Sequence, residues 1–271
     1  MKDLIVVRGG GDLATGTIHR LWSAGFKVLI LEAKHPAAIR RQVSLCEAVY
    51  EGRATVEGLT AVLIHDVSEM EQVWAEGNVP MIVDPKGECL ETVKPAVLVD
   101  AIIAKKNLGT NRSMAPATIA LGPGFVAGQD VDVVIETSRG HKLGRVIREG
   151  AAKPNTGIPG IIGGYGKERV IHSPAEGIMR NIRAIGDIVE QDEDIAYVET
   201  DGGKVMVKAT IPGIIRGLIR DGYPVTVGFK IADIDPPQGR AGKLLADLRQ
   251  GALHRGLCFG AGLRRPEKVT T

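Results

Sequence analysis

The chain has 271 residues, 44% of them hydrophobic, and a formal charge of +2 from 34 basic and 32 acidic side chains. Length and apolar content suit a chain of two compact domains with a well-buried core. Balanced charge, 4% aromatics and no uninterrupted apolar run of spanning length argue against a nucleic-acid track and a membrane span.

The opening "MKDLIVV" enters a strand at once, with no charged-then-apolar leader, which points to a cytoplasmic protein. Residues 6–32, "VVRGGGDLATGTIHRLWSAGFKVLILE", read as a strand, a glycine turn, a helix and a second strand ending on an acid. Gly9 and Gly11 fit the first two glycines of G-x-G-x-x-G/A, with Gly10 between them and Ala14 at the third place. The helix begins near Leu13 and would aim its free N–H groups at a pyrophosphate. Glu32 stands where an acid binds ribose hydroxyls, which favours NAD over NADP. Asp12 reads as an N-cap, although its charge would repel a phosphate held very close. The competing reading is a tight structural turn.

After Glu32, "HPAAIRRQ" suggests a short helix, "LTAVLIHD" (59–66) a strand, "SEMEQVWAEG" a helix, and "VPMIVD" and "AVLVDAIIA" buried strands. This alternation predicts a Rossmann-like parallel sheet domain over 1–106. His65, Asp66, Asp84 and Asp100 fall near strand ends, where open α/β sheets place ligands, although turn and cap roles suit them equally. Cys46, Cys89 and Cys258 are far apart and form no C-x-x-C pair, so no disulfide framework is expected. Cys89 is a loop thiol, either reactive or simply free. The histidines lack ligand spacing, and no metal is assigned.

Residues 107–170 form a Gly-rich connecting β region. It contains a hairpin around Ser138-Arg139-Gly140-His141 and a long glycine-rich loop over 153–168. Lys105, Asn107, Thr110, Arg139 and His141 are the polar groups that could converge on an anionic ligand. Lys105 and His141 are also the best available proton donors for an oxidoreductase reading.

Residues 171–236 hold an internal repeat. "GIMRNIRAIGDIVEQDEDIAYV" from Gly177 aligns without gaps with "GIIRGLIRDGYPVTVGFKIADI" from Gly213, pairing Arg180 with Arg216 and Gly186 with Gly222. The pattern resembles the barrel-sandwich hybrid fold of lipoyl and biotinyl carrier domains. That resemblance puts Gly202 where the acceptor lysine would stand, with Lys204 off register, so no lipoyl or biotin is expected. Residues 237–271 read as a C-terminal tail, partly helical.

Taken in order, "GGGDLATG", "VDAIIAKKNLGT", "MAPATIALGPGF", "VIETSRGHKLGRVI" and "VGFKIADIDP" resemble the YqeB family of accessory proteins for selenium-dependent molybdenum hydroxylases. The resemblance implies a Rossmann domain related to the XdhC maturation factors and a client molybdenum hydroxylase as partner. Longer members of the family carry an additional XdhC-like region before the stretch matched here. The expected function is therefore a maturation factor that binds NAD, NADP or a nucleotide-bearing molybdenum cofactor, and a homo-oligomer is compatible with it. An NAD-dependent oxidoreductase and a non-enzymatic docking scaffold are the alternatives.

Overall fold

A computed structural model describes residues 4–155, 157 and 160–237. Cys258 and the tail beyond residue 237 lie outside the described residues. The described chain forms two compact units, one of residues 4–36 and 42–155, the other of residues 37–41, 157 and 160–237.

The first unit is built on strands β1 (Leu4–Arg8), β2 (Lys27–Glu32), β3 (Arg53–Val56), β4 (Leu59–Ile64), β5 (Val79–Val83), β6 (Val97–Asp100), β7 (Ala117–Leu121), β8 (Val126–Ala127), β9 (Val133–Ile135), β10 (Val146–Ile147) and β11 (Gly150–Ala151). Nine of these form one sheet in the order β10-β9-β7-β6-β1-β2-β5-β4-β3, and β8 pairs with β11. The strands from β9 across to β4 run parallel. Both edge strands are antiparallel, β3 on β4 and β10 on β9. The reason is connection length, because β3 and β10 each join their neighbour through a hairpin while the central strands are linked by long crossovers.

Alternate residues of the central strands feed two different cores. Ile5, Val7, Val28 and Ile30 pack on one face, and Leu4, Val6, Leu29 and Leu31 on the other. Sheets buried on both faces need such continuous apolar runs. Helices α1 (Asp12–Ser23), α2 (Ala48–Glu51), α3 (Met70–Ala75) and α4 (Leu90–Val93) lie in the connections. No helix among the described residues is long and apolar enough to cross a membrane.

The second unit contains β12 (Val170–His172), β13 (Gly177–Asn181), β14 (Ile188–Val189), β15 (Asp194–Thr200), β16 (Gly203–Lys208), β17 (Gly213–Leu218), β18 (Pro224–Val225) and β19 (Lys230–Asp235). They form two four-stranded antiparallel sheets, β12-β19-β17-β14 and β16-β15-β13-β18. The sequence repeat governs this pattern, and its two halves exchange their short strands, with β14 on β17 and β18 on β13. Met179, Val198, Ile215 and Ile234 are fully buried between them.

The fold expectation is corrected on both counts. The first sheet is mixed rather than the parallel sheet of a Rossmann domain. The remainder is a pair of antiparallel sheets that recruits chain from before residue 171, rather than a lipoyl-like barrel-sandwich of 171–236. Val170 in β12 pairs with Asp233, and Ala37–Arg41 belongs to this unit. The short helix expected at 35–42 does not form. The Ile39 carbonyl instead accepts the N–H of Leu218 at 2.8 Å, and the Ile39 side chain packs on Gly217.

Candidate functional site

The glycine turn between β1 and α1 is closed by the chain's own groups. Gly9 turns with a φ of +97°, a conformation that favours glycine. The Gly10 N–H donates to Glu32 Oε2 at 2.6 Å, and the Ala33 N–H donates to Glu32 Oε1 at 2.7 Å. The Gly10 carbonyl accepts the Cys46 N–H at 2.8 Å, while Leu45 donates its N–H to Thr15 Oγ1 at 2.9 Å. A Cβ on Gly10 would lie 3.0 Å from the Met81 methyl and 3.1 Å from the Cys46 nitrogen. Gly11 is the N-cap of α1, and Asp12 is its first helical residue, accepting the Leu13 N–H on Oδ1 at 2.9 Å. Leu13 is partly buried against the core, and Ala14 is fully buried in it. Burial pushes the Glu32 carboxyl above its ordinary pKa, although the N–H groups of Ala33 and Gly10 oppose the shift.

A second knot lies at the C-terminal ends of β1 and β6. Arg8 is 2% exposed, donates to the Thr110 hydroxyl and to the Pro85 carbonyl, and stands 3.7 Å from Asp100. Thr110 in turn donates to Asp100 Oδ2 at 2.5 Å. Burial raises the Asp100 carboxyl, and Thr110, the Ile102 N–H and Arg8 only partly offset it. Asn107 is spent locally, because Oδ1 accepts from the N–H groups of Gly109 and Thr110 and Nδ2 donates to the Thr110 carbonyl. Thr110 and Asn107 therefore shape a loop. Other strand-end acids cap turns, Asp66 at Ser68 and Asp84 at Gly87, Glu88 and Cys89. The Cys89 thiol is pushed up to about 12 by burial and by Asp84, which leaves it protonated and unreactive at neutral pH.

The hairpin from β9 to β10 is different. Arg139 and His141 line one cavity of about 780 Å³ together with Lys142, Arg145, Arg148 and Lys153. All six are exposed at its surface. Glu136, 4% exposed, holds the segment in shape by accepting the Ser138 N–H at 2.7 Å and the Lys153 N–H at 2.8 Å. The Glu136 carboxylate is thus satisfied by backbone donors, and the exposed Glu149 is the other acid set among the cations of the lining. Lys105 is exposed on a neighbouring loop and does not line it. Four cavity residues, Lys142, Arg145, Arg148 and Lys153, escaped the sequence reading. Their signal was local charge density, since residues 138–153 carry five Lys or Arg against the single acid Glu149.

The chain is 50% identical over 233 residues to a protein of Escherichia coli (strain K12) named "Uncharacterized protein YqeB". The similarity supports the YqeB family. It covers 86% of this chain and 42% of the relative, so the chain spans less than half the length of that YqeB protein. No family model matches. Among solved structures, an aspartoacylase family protein of Mesorhizobium loti aligns over 78% of this chain and 58% of its own, with 11% identity and a TM-score of 0.27. The product-bound Ectoine utilization protein EutE (DoeB) of Ruegeria pomeroyi aligns over 87% and 58%, with 10% identity and a TM-score of 0.25. A succinylglutamate desuccinylase of Silicibacter sp. TM1040 aligns over 86% and 84%, with 12% identity and a TM-score of 0.27. At these scores the likeness carries no functional argument.

The expected function of a Rossmann, NAD-binding, XdhC-like maturation factor is corrected. In this chain the turn that would hold the pyrophosphate has its donor at Gly10 taken by Glu32, and residues 44–46 cover it. The oxidoreductase alternative depended on the same turn and falls with it. The docking-scaffold alternative depended on the barrel-sandwich module and falls with that fold.

Proposed function

We propose that the first unit binds a small anionic molecule in the cavity of the β9–β10 hairpin. The observation that supports this reading is the convergence of Arg139, His141, Lys142 and Arg145 on one concave surface whose buried acid, Glu136, is engaged by backbone N–H groups. Guanidinium groups offer paired donors matched to carboxylate or phosphate oxygens, and a neighbouring ammonium adds a point charge. Among the described residues no Phe, Tyr or Trp lines the cavity, which favours a compact anion over stacked bases.

Calorimetric titration of the purified chain with inorganic phosphate and pyrophosphate tests the reading. Binding should weaken as ionic strength rises, and Arg139→Ala should lower affinity about tenfold or more. Absence of binding by either probe at low salt would remove it.

A further inference from the structure

Three loops leave the C-terminal ends of the adjacent parallel strands β6, β7 and β9. They pack against one another in that order. A Cβ on Gly124, after β7, would fall 2.6 Å from the Lys106 nitrogen, and a Cβ on Gly122 would fall 2.6 Å from Thr137 Oγ1, at the start of the cationic hairpin loop. The two glycines therefore seat the loop after β6 and the loop after β9 on either side of Gly122-Pro123-Gly124, which bears no charge.

The loop after β6 is held in an unusual conformation. Ile103 has a φ of +58° and Lys105 a φ of +65°, values that side-chain-bearing residues, and β-branched ones above all, rarely adopt. Such conformations persist where the surroundings over-determine them, and they concentrate at ligand sites. Here the surroundings do so: Asp100 accepts the Ile102 N–H, Asn107 ties the loop to Thr110, and Thr110 is locked to Asp100 and Arg8. The consequence is an exposed Lys105 fixed at the ligand side of the sheet.

We infer that the ligand is elongated and carries two anionic groups, one met by Arg139 and His141 and the other by Lys105. This rests on the reading of the hairpin cavity as an anion site. Neighbouring strands lie about 4.8 Å apart, so loops leaving β6 and β9 with β7 between them start about 10 Å apart. A single oxyanion engages one end. A bisphosphate or dicarboxylate of that reach engages both and gains from the second contact as an intramolecular event.

The test titrates the full chain with methylphosphonate and with α,ω-alkane bisphosphonates of increasing chain length. The parent should bind the bisphosphonate spanning about 10 Å roughly tenfold more tightly than methylphosphonate. Lys105→Gly is the informative variant, because glycine accepts the positive φ and the fold is retained, which the melting temperature checks. It should abolish the gain with length while leaving methylphosphonate affinity unchanged, whereas Arg139→Ala should weaken both. Absence of length dependence in the parent, or its persistence in Lys105→Gly, would overturn the two-anion ligand while the single-anion site stood. Failure of the parent to bind methylphosphonate would overturn the cavity reading itself.

Discussion

The carboxylate of Glu32 reaches back along the sheet edge to accept the backbone N–H of Gly10 at 2.6 Å. An acid at the end of β2 thus ties down the glycine turn. Because burial holds the Glu32 carboxyl above its ordinary value, the folded chain binds that proton more tightly than the unfolded chain. The stabilisation from Glu32 is then fully present below the unfolded value of about 4.3 and is lost as pH rises through the folded value. Glu32→Gln keeps an acceptor for Gly10 and removes the titration. In urea unfolding across pH, the parent should lose stability relative to this variant as pH rises from about 4. Parallel profiles would show that Glu32 titrates as it does in the unfolded chain.

The two adjacent glycines of the turn should respond unequally to alanine. Gly10 faces the Met81 methyl and the Cys46 backbone within 3.3 Å, so an added methyl must displace packed atoms. Overpacking of this kind costs about 1–3 kcal/mol. Gly11 has no atom within 4 Å of the Cβ position and a φ of −67°, which alanine adopts freely. Denaturant midpoints should therefore fall for Gly10→Ala and stay near the parent for Gly11→Ala. A loss at Gly11 alone would contradict this packing of the turn.

What could be read from sequence divides along the range of the interactions. β1, β2, β4 and β5 were legible because continuous apolar runs announce strands buried on both faces, and the matched glycines announced the repeat. Residues 35–42 were misread as a helix because the partner that decides their conformation, Leu218, lies far away in sequence. Glu32 was legible as a strand-end acid, but the spacing is identical whether the carboxylate reaches a ribose or its own glycine turn. Arg8 was overlooked altogether. A charged residue closing an apolar strand had a visible counterpart in Asp100, yet only the parallel pairing of β1 with β6 sets Arg8 opposite Asp100. Arg139 and His141 were found from the turn chemistry of the hairpin, whereas their cationic neighbours needed the fold of the segment that Glu136 clasps.

The repeat makes a paired steric prediction. Gly177 and Gly213 have φ values of +155° and +154°. A Cβ would lie 2.2 Å from the Glu199 carbonyl oxygen in the first case and 2.1 Å from the Asp235 carbonyl oxygen in the second. Both clashes are with backbone of the neighbouring strand and cannot be relieved by a side-chain rotation. Gly177→Ala and Gly213→Ala should each destabilise by roughly 3 kcal/mol, read as similar shifts in the unfolding midpoint. A neutral effect at either position would mean that the strands can separate locally.

The same repeat places ion pairs of unequal burial at equivalent positions. Arg180 donates to Glu199 at 3.0 Å with side chains 39% and 50% exposed, and Arg216 donates to Asp235 at 3.0 Å with side chains 13% and 10% exposed. Exposed pairs are screened and hold their partners at an entropic cost, so Arg180→Met should leave stability unchanged within error. Arg216 belongs to a cluster in which Arg169 also contacts Asp235 and Asp233, and Arg40 contacts Asp233. Removing it leaves Asp235 still paired with Arg169, so the loss stays below that of orphaning a buried charge. Burial lowers the pKa of Arg216, and Arg40 and Arg169 add to that shift while the two aspartates oppose it. Arg216→Met should then cost roughly 2 kcal/mol. Asp235→Asn takes the acceptor charge from Arg216 and leaves Arg169 with Asp233 alone, and it should cost more. A double-mutant cycle on Arg216 and Asp235 separates the pair from its surroundings, and a coupling no larger than that of Arg180 with Glu199 would contradict the assignment of the cluster as buried.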